Sequence, residues 1–407
     1  MNCRYCKSFL KYTFLDLGFA PLSNAYLSKE DLNHPEAYFP LKIKVCDHCW
    51  LVQTEDYVQN NKLFSHDYAY FSSTSSGWLT HARQYAEQIT TELDLNAQSL
   101  VIEVASNDGY LLKNFVDVGI PCLGIEPTDS TAAAAQRLGI PVIREFFGEA
   151  LGEQIAKKGQ KADLIIGNNV YAHVPDINDF TRGLKAMLKP GGTITLEFPH
   201  LMILIEQAQF DTVYHEHFSY LSLQTVNQIF SAAGLRIFKV EELSTHGGSL
   251  RVYGCHQDDT RLKQDVVSSM LQKEIQYGLQ DLKTYLKFQS RADKIKDDLL
   301  SFLIEQKRAG KKVVAYGAAA KGNTLLNYAG VKTDLIGFVC DAAQSKQDKF
   351  MPGSHIPILH PSEIFNRQFD YILILPWNIS AEVVKQNEQL KKKDVRFVIA
   401  IPELKVL

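Results

Sequence analysis

The chain has 407 residues, room for roughly two to four domains at ~150 residues each. Hydrophobic residues make up 45% and charged residues 22%, a globular balance that excludes a disordered chain and a disulfide-stapled miniprotein. The 43 Lys and Arg against 46 Asp and Glu leave a net charge of −3. That argues against a nucleic-acid wrapper or a polybasic membrane binder, and it still permits a small basic pocket for one anionic ligand.

The start, Met1-Asn2-Cys3-Arg4-Tyr5-Cys6, has no apolar signal core, and no apolar run reaches the ~18 residues a membrane helix needs. The expectation is a cytoplasmic protein with neither a membrane nor a nucleic-acid partner. Residues 1–65 read as a compact, turn-rich module with a strand over Leu41–Val45. Its four cysteines form two pairs, Cys3-x2-Cys6 and, 39 residues on, Cys46-x2-Cys49. Each pair can sit on a tight knuckle, and two knuckles complete a closed, all-thiolate, structural zinc site. His48 is a competing ligand by type, but the paired spacing favours the cysteines. The scattered Cys122, Cys255 and Cys340 read as small buried apolar residues.

Residues 66–260 alternate strands and helices. After a helix over Trp78–Leu93 come strands Leu100–Val104, Cys122–Glu126, Asp163–Gly167 and Gly192–Phe198. Helices over Gly109–Val118, Thr131–Leu138 and Ile177–Leu188 lie between them. This is the pattern of an α/β, doubly wound parallel sheet with helices on both faces. Residues 261–310 read as a connecting pair of helices, and 311–407 as a second α/β unit with strands Val313–Gly317, Leu335–Val339 and Tyr371–Leu375.

The loop Glu103-Val104-Ala105-Ser106-Asn107-Asp108-Gly109 leaves the first strand and opens a helix, so Glu103, Ala105, Ser106, Asn107 and Gly109 are candidate cofactor contacts. Glu126, followed by Pro127, ends the next strand, where a carboxylate accepts both hydroxyls of a ribose. The loop lacks G-x-G-x-x-G, so a cofactor with a ribose and no phosphates, S-adenosylmethionine, fits better than a dinucleotide. Asn168 and Asn169 open the segment Asn168-Asn169-Val170-Tyr171-Ala172-His173-Val174-Pro175-Asp176, and Leu188-Lys189-Pro190-Gly191-Gly192 leads into the next strand. With these motifs in order the chain resembles a class I S-adenosylmethionine-dependent methyltransferase, which implies that Rossmann-like fold.

Just past that sheet, Asp211-Thr212-Val213-Tyr214-His215-Glu216-His217-Phe218-Ser219-Tyr220 concentrates groups able to move a proton and stabilise an oxyanion. A metal site is a rival reading, disfavoured because consecutive residues point in different directions. Together with "DYAYFSSTS", "HGGSLRVY" and "YGAAAKGNTLLN", the order of motifs is similar to the zinc-containing sugar C-methyltransferases of deoxysugar biosynthesis. The resemblance implies methylation at C3 of a nucleotide-linked 4-keto-6-deoxyhexose, with dTDP the expected carrier. It implies His217 as the base, Tyr214 as the enolate stabiliser and Glu216 as holder of a sugar hydroxyl or orienter of His217. One of Tyr68 and Tyr70 closes over the site on the same ground. His173 and His246 are candidate substrate contacts, and Lys321 with Asn323, in a small-residue loop at a helix mouth, suits the pyrophosphate. Ala105 departs from the family pattern, which has glycine there. The competing classes are an O- or N-methyltransferase and a zinc-ribbon interaction protein on an inactive methyltransferase fold. Monomer and dimer are left open.

Overall fold

Runs of β-branched and aliphatic residues build the centre of the protein. Val101–Val104 is buried along its whole length, as is most of Ala162–Asn168, the mark of parallel strands covered on both faces. The computed structural model describes residues 1–55, 71–74 and 76–407, so Tyr68 and Tyr70 lie outside the described residues. The central sheet runs β10 (Leu235–Leu243), β11 (Ser249–His256), β8 (Leu188–Pro199), β7 (Ala162–Asn168), β4 (Val101–Val104), β5 (Cys122–Ile125), β6 (Val142–Ile143). Strands β4 to β8 pair in parallel, and the hairpin β10–β11 closes the edge antiparallel. The strand order reverses between β4 and β7, the switch point where such sheets bind ligands.

Helices pack where the sequence offers an apolar stripe and a cap. Ile177–Met187 buries Ile177, Phe180, Leu184 and Met187, and Asp176 caps it by accepting from the Asp179 N–H. The expected helix over Gly109–Val118 shrinks to Lys113–Val116, because Asn107 (φ +49°) and Gly109 (φ +80°) keep the loop turning. The expected pair of connecting helices is three: Asp265–Tyr277, Leu282–Leu286 and Phe288–Arg308. The first stops where Gly278 adopts the left-handed region.

Two further sheets flank the centre. The N-terminal one runs β1 (Tyr12–Ala20), β2 (Phe39–Val45), β3 (Val52–Thr54), β9 (Ser219–Tyr220), so its last strand comes from the segment after the central β8. The C-terminal one runs β14 (Ile358–Leu359), β13 (Ile336–Cys340), β12 (Val313–Tyr316), β15 (Tyr371–Ile374), β16 (Arg396–Ile399), β17 (Lys405–Val406). One apolar core joins Phe14 and Ile43 of the N-terminal sheet to Phe288 and Leu299 of the long helix and Val339 and Leu373 of the C-terminal sheet. A second core joins Cys3, Cys46 and Leu51 to Leu196 and Phe230 of the central unit. The small N-terminal module thus buries its apolar faces against both neighbours, as a unit of its size requires. Among the described residues no helix is long and apolar enough to cross a membrane.

Candidate active site and zinc centre

The two Cys-x2-Cys segments fold alike. Lys7 N–H donates to Cys3 O (3.1 Å) and Trp50 N–H to Cys46 O (3.0 Å), and Lys7 and Trp50 each turn through positive φ. The four Sγ atoms lie within 4.8 Å of one another, with Cys3–Cys49 and Cys6–Cys46 both at 3.5 Å. A tetrahedron with Zn–S of about 2.3 Å has edges near 3.8 Å, so the cluster fits zinc with small adjustments. Three of the thiols are buried and His48 is exposed, outside the cluster. His215 points away from any metal: its Nε2 donates to Pro40 O (3.2 Å) and its ring packs edge-on to Phe39.

The cofactor loop lies at the carboxyl edge of β4. Asn107 N–H donates to Glu126 Oε2 (3.0 Å), Thr128 N–H to Glu126 Oε1 (2.9 Å), and Thr128 Oγ1 to the same oxygen. Pro127 links these contacts. A turn at Ser72–Thr74 covers the loop: Ser72 N–H donates to Asn107 Oδ1 (3.0 Å) and Ser73 N–H to Asp108 Oδ2 (3.1 Å). At Gly109 a Cβ would stand 2.6 Å from Ile140 Cδ1, so only glycine serves. Ala105 is held at φ +59°, the left-handed region that explains the glycine of the family pattern.

Glu103 Oε2, Ser106 Oγ, Asp108 Oδ1 and both amide atoms of Asn168 are buried without a hydrogen-bond partner. Burial, with Asp108 and Glu126 beside it, pushes the Glu103 carboxyl well above the usual carboxylate range. Mutually repelling acids and unspent polar atoms along one strand edge suit a ligand that carries a sulfonium, an ammonium and a ribose.

The candidate proton-moving cluster lies against the segment that follows β7, where Phe218 N–H donates to Ala172 O (2.8 Å). His217 Nδ1–H donates to Thr212 O (2.8 Å), which leaves Nε2 as the basic nitrogen. Its ring contacts Tyr214 at 3.9 Å and His173 at 4.6 Å between centroids. Burial holds His217 well below its ordinary pKa, with His173 beside it adding to the effect, and burial lowers His173 to about 4. Both imidazoles are therefore neutral at physiological pH. Glu216 is buried and accepts from Asn24 Nδ2 (2.8 Å), while the Thr212 carbonyl takes the orienting role at His217 Nδ1.

On the other flank Asn169 Nδ2 donates to His246 Nε2 (3.1 Å), and Trp78 lies 5.1 Å from the His246 ring. Burial lowers His246 to about 4. Lys321 arrives from the C-terminal sheet, donates to Asn378 Oδ1 (2.7 Å) and lies over the Trp377 ring. Its charge acts on both His217 and His246. Asn323 Nδ2 instead donates to Ser23 O (2.6 Å), tying the C-terminal helix to the N-terminal module.

Sequence reasoning missed Thr212, Asn24 and Trp377. Trp377 Nε1–H donates to Asp211 Oδ2 (2.8 Å), and its ring approaches so closely that a Cβ at Gly247 would stand 2.4 Å away. The signal for Trp377 was its place just beyond the carboxyl end of β15. It missed as well a buried network in which Glu197 receives Arg251 Nη2 (2.7 Å), His81 Nε2 (2.9 Å) and Thr245 Oγ1 (2.9 Å).

The reversed strand order, the loop at its switch point and the Glu126 cradle define an S-adenosylmethionine-dependent methyltransferase with the class I Rossmann-like fold. Family models agree along the chain: "Putative zinc binding domain" matches residues 3–64, "Methyltransferase domain" 78–240, and "C-methyltransferase C-terminal domain" 244–402. C-methyltransferase NovU of Streptomyces niveus is 33% identical over 406 residues, covering 100% of this chain and 96% of that protein. The chain belongs to this C-methyltransferase family. A ubiquinone biosynthesis O-methyltransferase of Methylobacterium nodulans is 28% identical over 117 residues, covering 28% of this chain and 45% of that one. The solved magnesium protoporphyrin IX methyltransferase of Synechocystis PCC 6803 with bound SAH covers 44% of this chain and 82% of that one, at 14% identity and a TM-score of 0.35.

Proposed function

We propose that the enzyme methylates C3 of a nucleotide-linked 4-keto-6-deoxyhexose, dTDP-linked, with His217 as the base. The observation that carries the reading is the Thr212 carbonyl on His217 Nδ1, because it fixes the tautomer that exposes a lone pair on Nε2. His217 takes the C3 proton, and the C3–H electron pair passes into the ring as an enolate whose oxygen Tyr214 receives. A phenol whose ring packs on the His217 imidazole suits that role. S-adenosylmethionine, held by Glu126 and the 105–109 loop, supplies an electrophilic methyl group. Held there, the sulfonium would give its methyl group to C3 and leave as the neutral thioether, and His217 would release the C3 proton to solvent. Lys321 meets the pyrophosphate, Glu216 a sugar hydroxyl, and His173 and His246 line the sugar side. Tyr214 favours carbon over the O- or N-methyl alternatives, which need no enolate stabiliser.

The test is exchange of the C3 proton with deuterated solvent in the presence of an unreactive cofactor analogue. Wild-type enzyme should promote exchange. His217→Asn should bind both ligands and lose exchange by about 10²–10⁴-fold. Undiminished exchange would reassign the base.

A further inference from the structure

We propose that Arg4 is a positioning residue: from the first zinc knuckle it sets the separation between the segment carrying His217 and the loop carrying His173. The inference rests on His217 as the base. Arg4 lies between Cys3 and Cys6, yet it is only 7% exposed. Its Nε donates to Phe218 O (3.2 Å), Nη1 to Pro175 O (2.9 Å) and Nη2 to Thr54 O (3.0 Å). Phe218 follows His217, Pro175 stands two residues beyond His173, and Thr54 ends β3. One planar fork therefore joins three segments that are remote in sequence.

The fork is itself anchored at the knuckle. Arg4 N–H donates to Gln53 Oε1 (2.8 Å), and Gln53 Nε2 donates to Cys3 Sγ (3.2 Å). The guanidinium also lies 4.8 Å over the Phe218 ring. Beside it Thr54 N–H donates to Phe218 O (3.1 Å), Thr54 Oγ1 donates to His217 O, and β3 pairs with β9 immediately after the base. The main chain of His217 is thus tied to the zinc module, while its imidazole is tied to Thr212 O.

Chemistry selects arginine here. Its donors leave in fixed, diverging directions from one plane, so three carbonyls can be met at once. A lysine ammonium is a point donor on a flexible stem and cannot hold three segments at set distances. The 4.6 Å contact between His173 and His217 is the geometry this fork controls. Displacing a catalytic group by about 1 Å costs on the order of 10²-fold in rate.

The experiment uses full-length, zinc-loaded protein carrying Arg4→Lys, Arg4→Met or Thr54→Val. Four quantities are read: zinc per chain, S-adenosylmethionine affinity, kcat against KM for the sugar, and the ¹⁵N imidazole resonances of His173 and His217. Resonances are assigned with His173→Asn and His217→Asn. The expected result is full zinc, cofactor affinity within twofold of wild type, and kcat down about 10–100-fold with little change in KM. Both imidazole resonances should shift. Thr54→Val leaves every Arg4 bond in place and removes only the Thr54 Oγ1 bond to His217 O, so it reads the neighbouring tie alone, and Arg4→Lys, which keeps the charge and the stem, decides the matter if Arg4→Met does not fold. Wild-type kcat with zinc retained overturns the proposal, and so does loss of zinc in step with activity, which would make Arg4 a knuckle anchor only. Failure of the base reading is seen separately, as C3 exchange surviving in His217→Asn.

Discussion

Replacing Glu126 should separate cofactor binding from loop support. Glu126 is 5% exposed, and its oxygens accept from Asn107 N–H, Thr128 N–H and Thr128 Oγ1. Glu126→Ala takes the acceptor from the buried Thr128 N–H and the part-buried Asn107 N–H. At about 1–3 kcal/mol for each unsatisfied donor, the loss of stability should be about 2–6 kcal/mol. Loss of the charged acceptor for the ribose hydroxyls should cost a further 1–2 kcal/mol of binding, roughly 5–30-fold in Kd. Urea denaturation reads the first quantity and titration calorimetry the second. Thr128→Val is the control: it removes one hydroxyl donor and keeps the carboxylate, so it should lower stability while leaving cofactor affinity near wild type. A folded Glu126→Ala protein that binds S-adenosylmethionine as tightly as wild type would refute the placement of the ribose at the end of β5.

Metal analysis of reduced, freshly purified protein should return one zinc per chain, and Cys46→Ser should lower zinc content, stability and solubility together; clearly less than one equivalent in wild type would contradict the four-thiolate site. Glu197→Gln should cost about 3–5 kcal/mol in urea denaturation, because Arg251, 3% exposed, would keep Glu241, at 3.5 Å, as its one carboxylate partner among the described residues; a loss under about 1 kcal/mol would show that the network relaxes. His173 and His246 should titrate near pH 4 and His217 well below 6.5, read by imidazole NMR. Lowering the pH through those midpoints protonates the lone pairs and stops turnover, whereas raising the pH above 6.5 should change none of them; a midpoint at 6.5 for His217 would mean that the ring is solvated.

Much of the fold was legible because it is written locally. Buried strands such as β4 and β7 are short, mainly aliphatic runs, and the zinc centre is fixed by spacing within two short segments. The cofactor edge followed from strand ends, and the positive φ at Ala105 shows why glycine belongs there. What could not be read is what depends on distant chain segments. No local pattern pairs Arg4 with Pro175 and Phe218, or brings Trp377 to Asp211 across 166 residues. Tyrosine spacing likewise could not choose between Tyr68 and Tyr70. Glu216 was open to two roles for the same reason: which partner takes the His217 Nδ1–H is a matter of tertiary placement.

The position of His217, the proposed base, draws on all three units of the chain. Proton removal from carbon is slow unless the base is held close to the C–H bond. The central sheet supplies the proposed cofactor edge, but His217 lies in none of its strands. His217 instead lies in a segment, residues 210–220, with a short 3-10 turn and a two-residue strand as its only regular structure. Such a segment would fray without outside partners. The N-terminal module supplies Thr54 on the His217 carbonyl and pairs β3 with β9; the C-terminal unit supplies Thr324, whose Oγ1 donates to Val213 O (2.8 Å), and Trp377 on Asp211. The segment carrying His217, the proposed base, is therefore clamped from both sides. This predicts that cleaving the chain between the central and C-terminal units should abolish turnover more completely than cofactor binding. Thr324→Val, which removes one clamp bond and no ligand contact, should lower kcat and leave S-adenosylmethionine affinity unchanged. Equal losses of both in that variant would show that the clamp serves the whole fold and not the base.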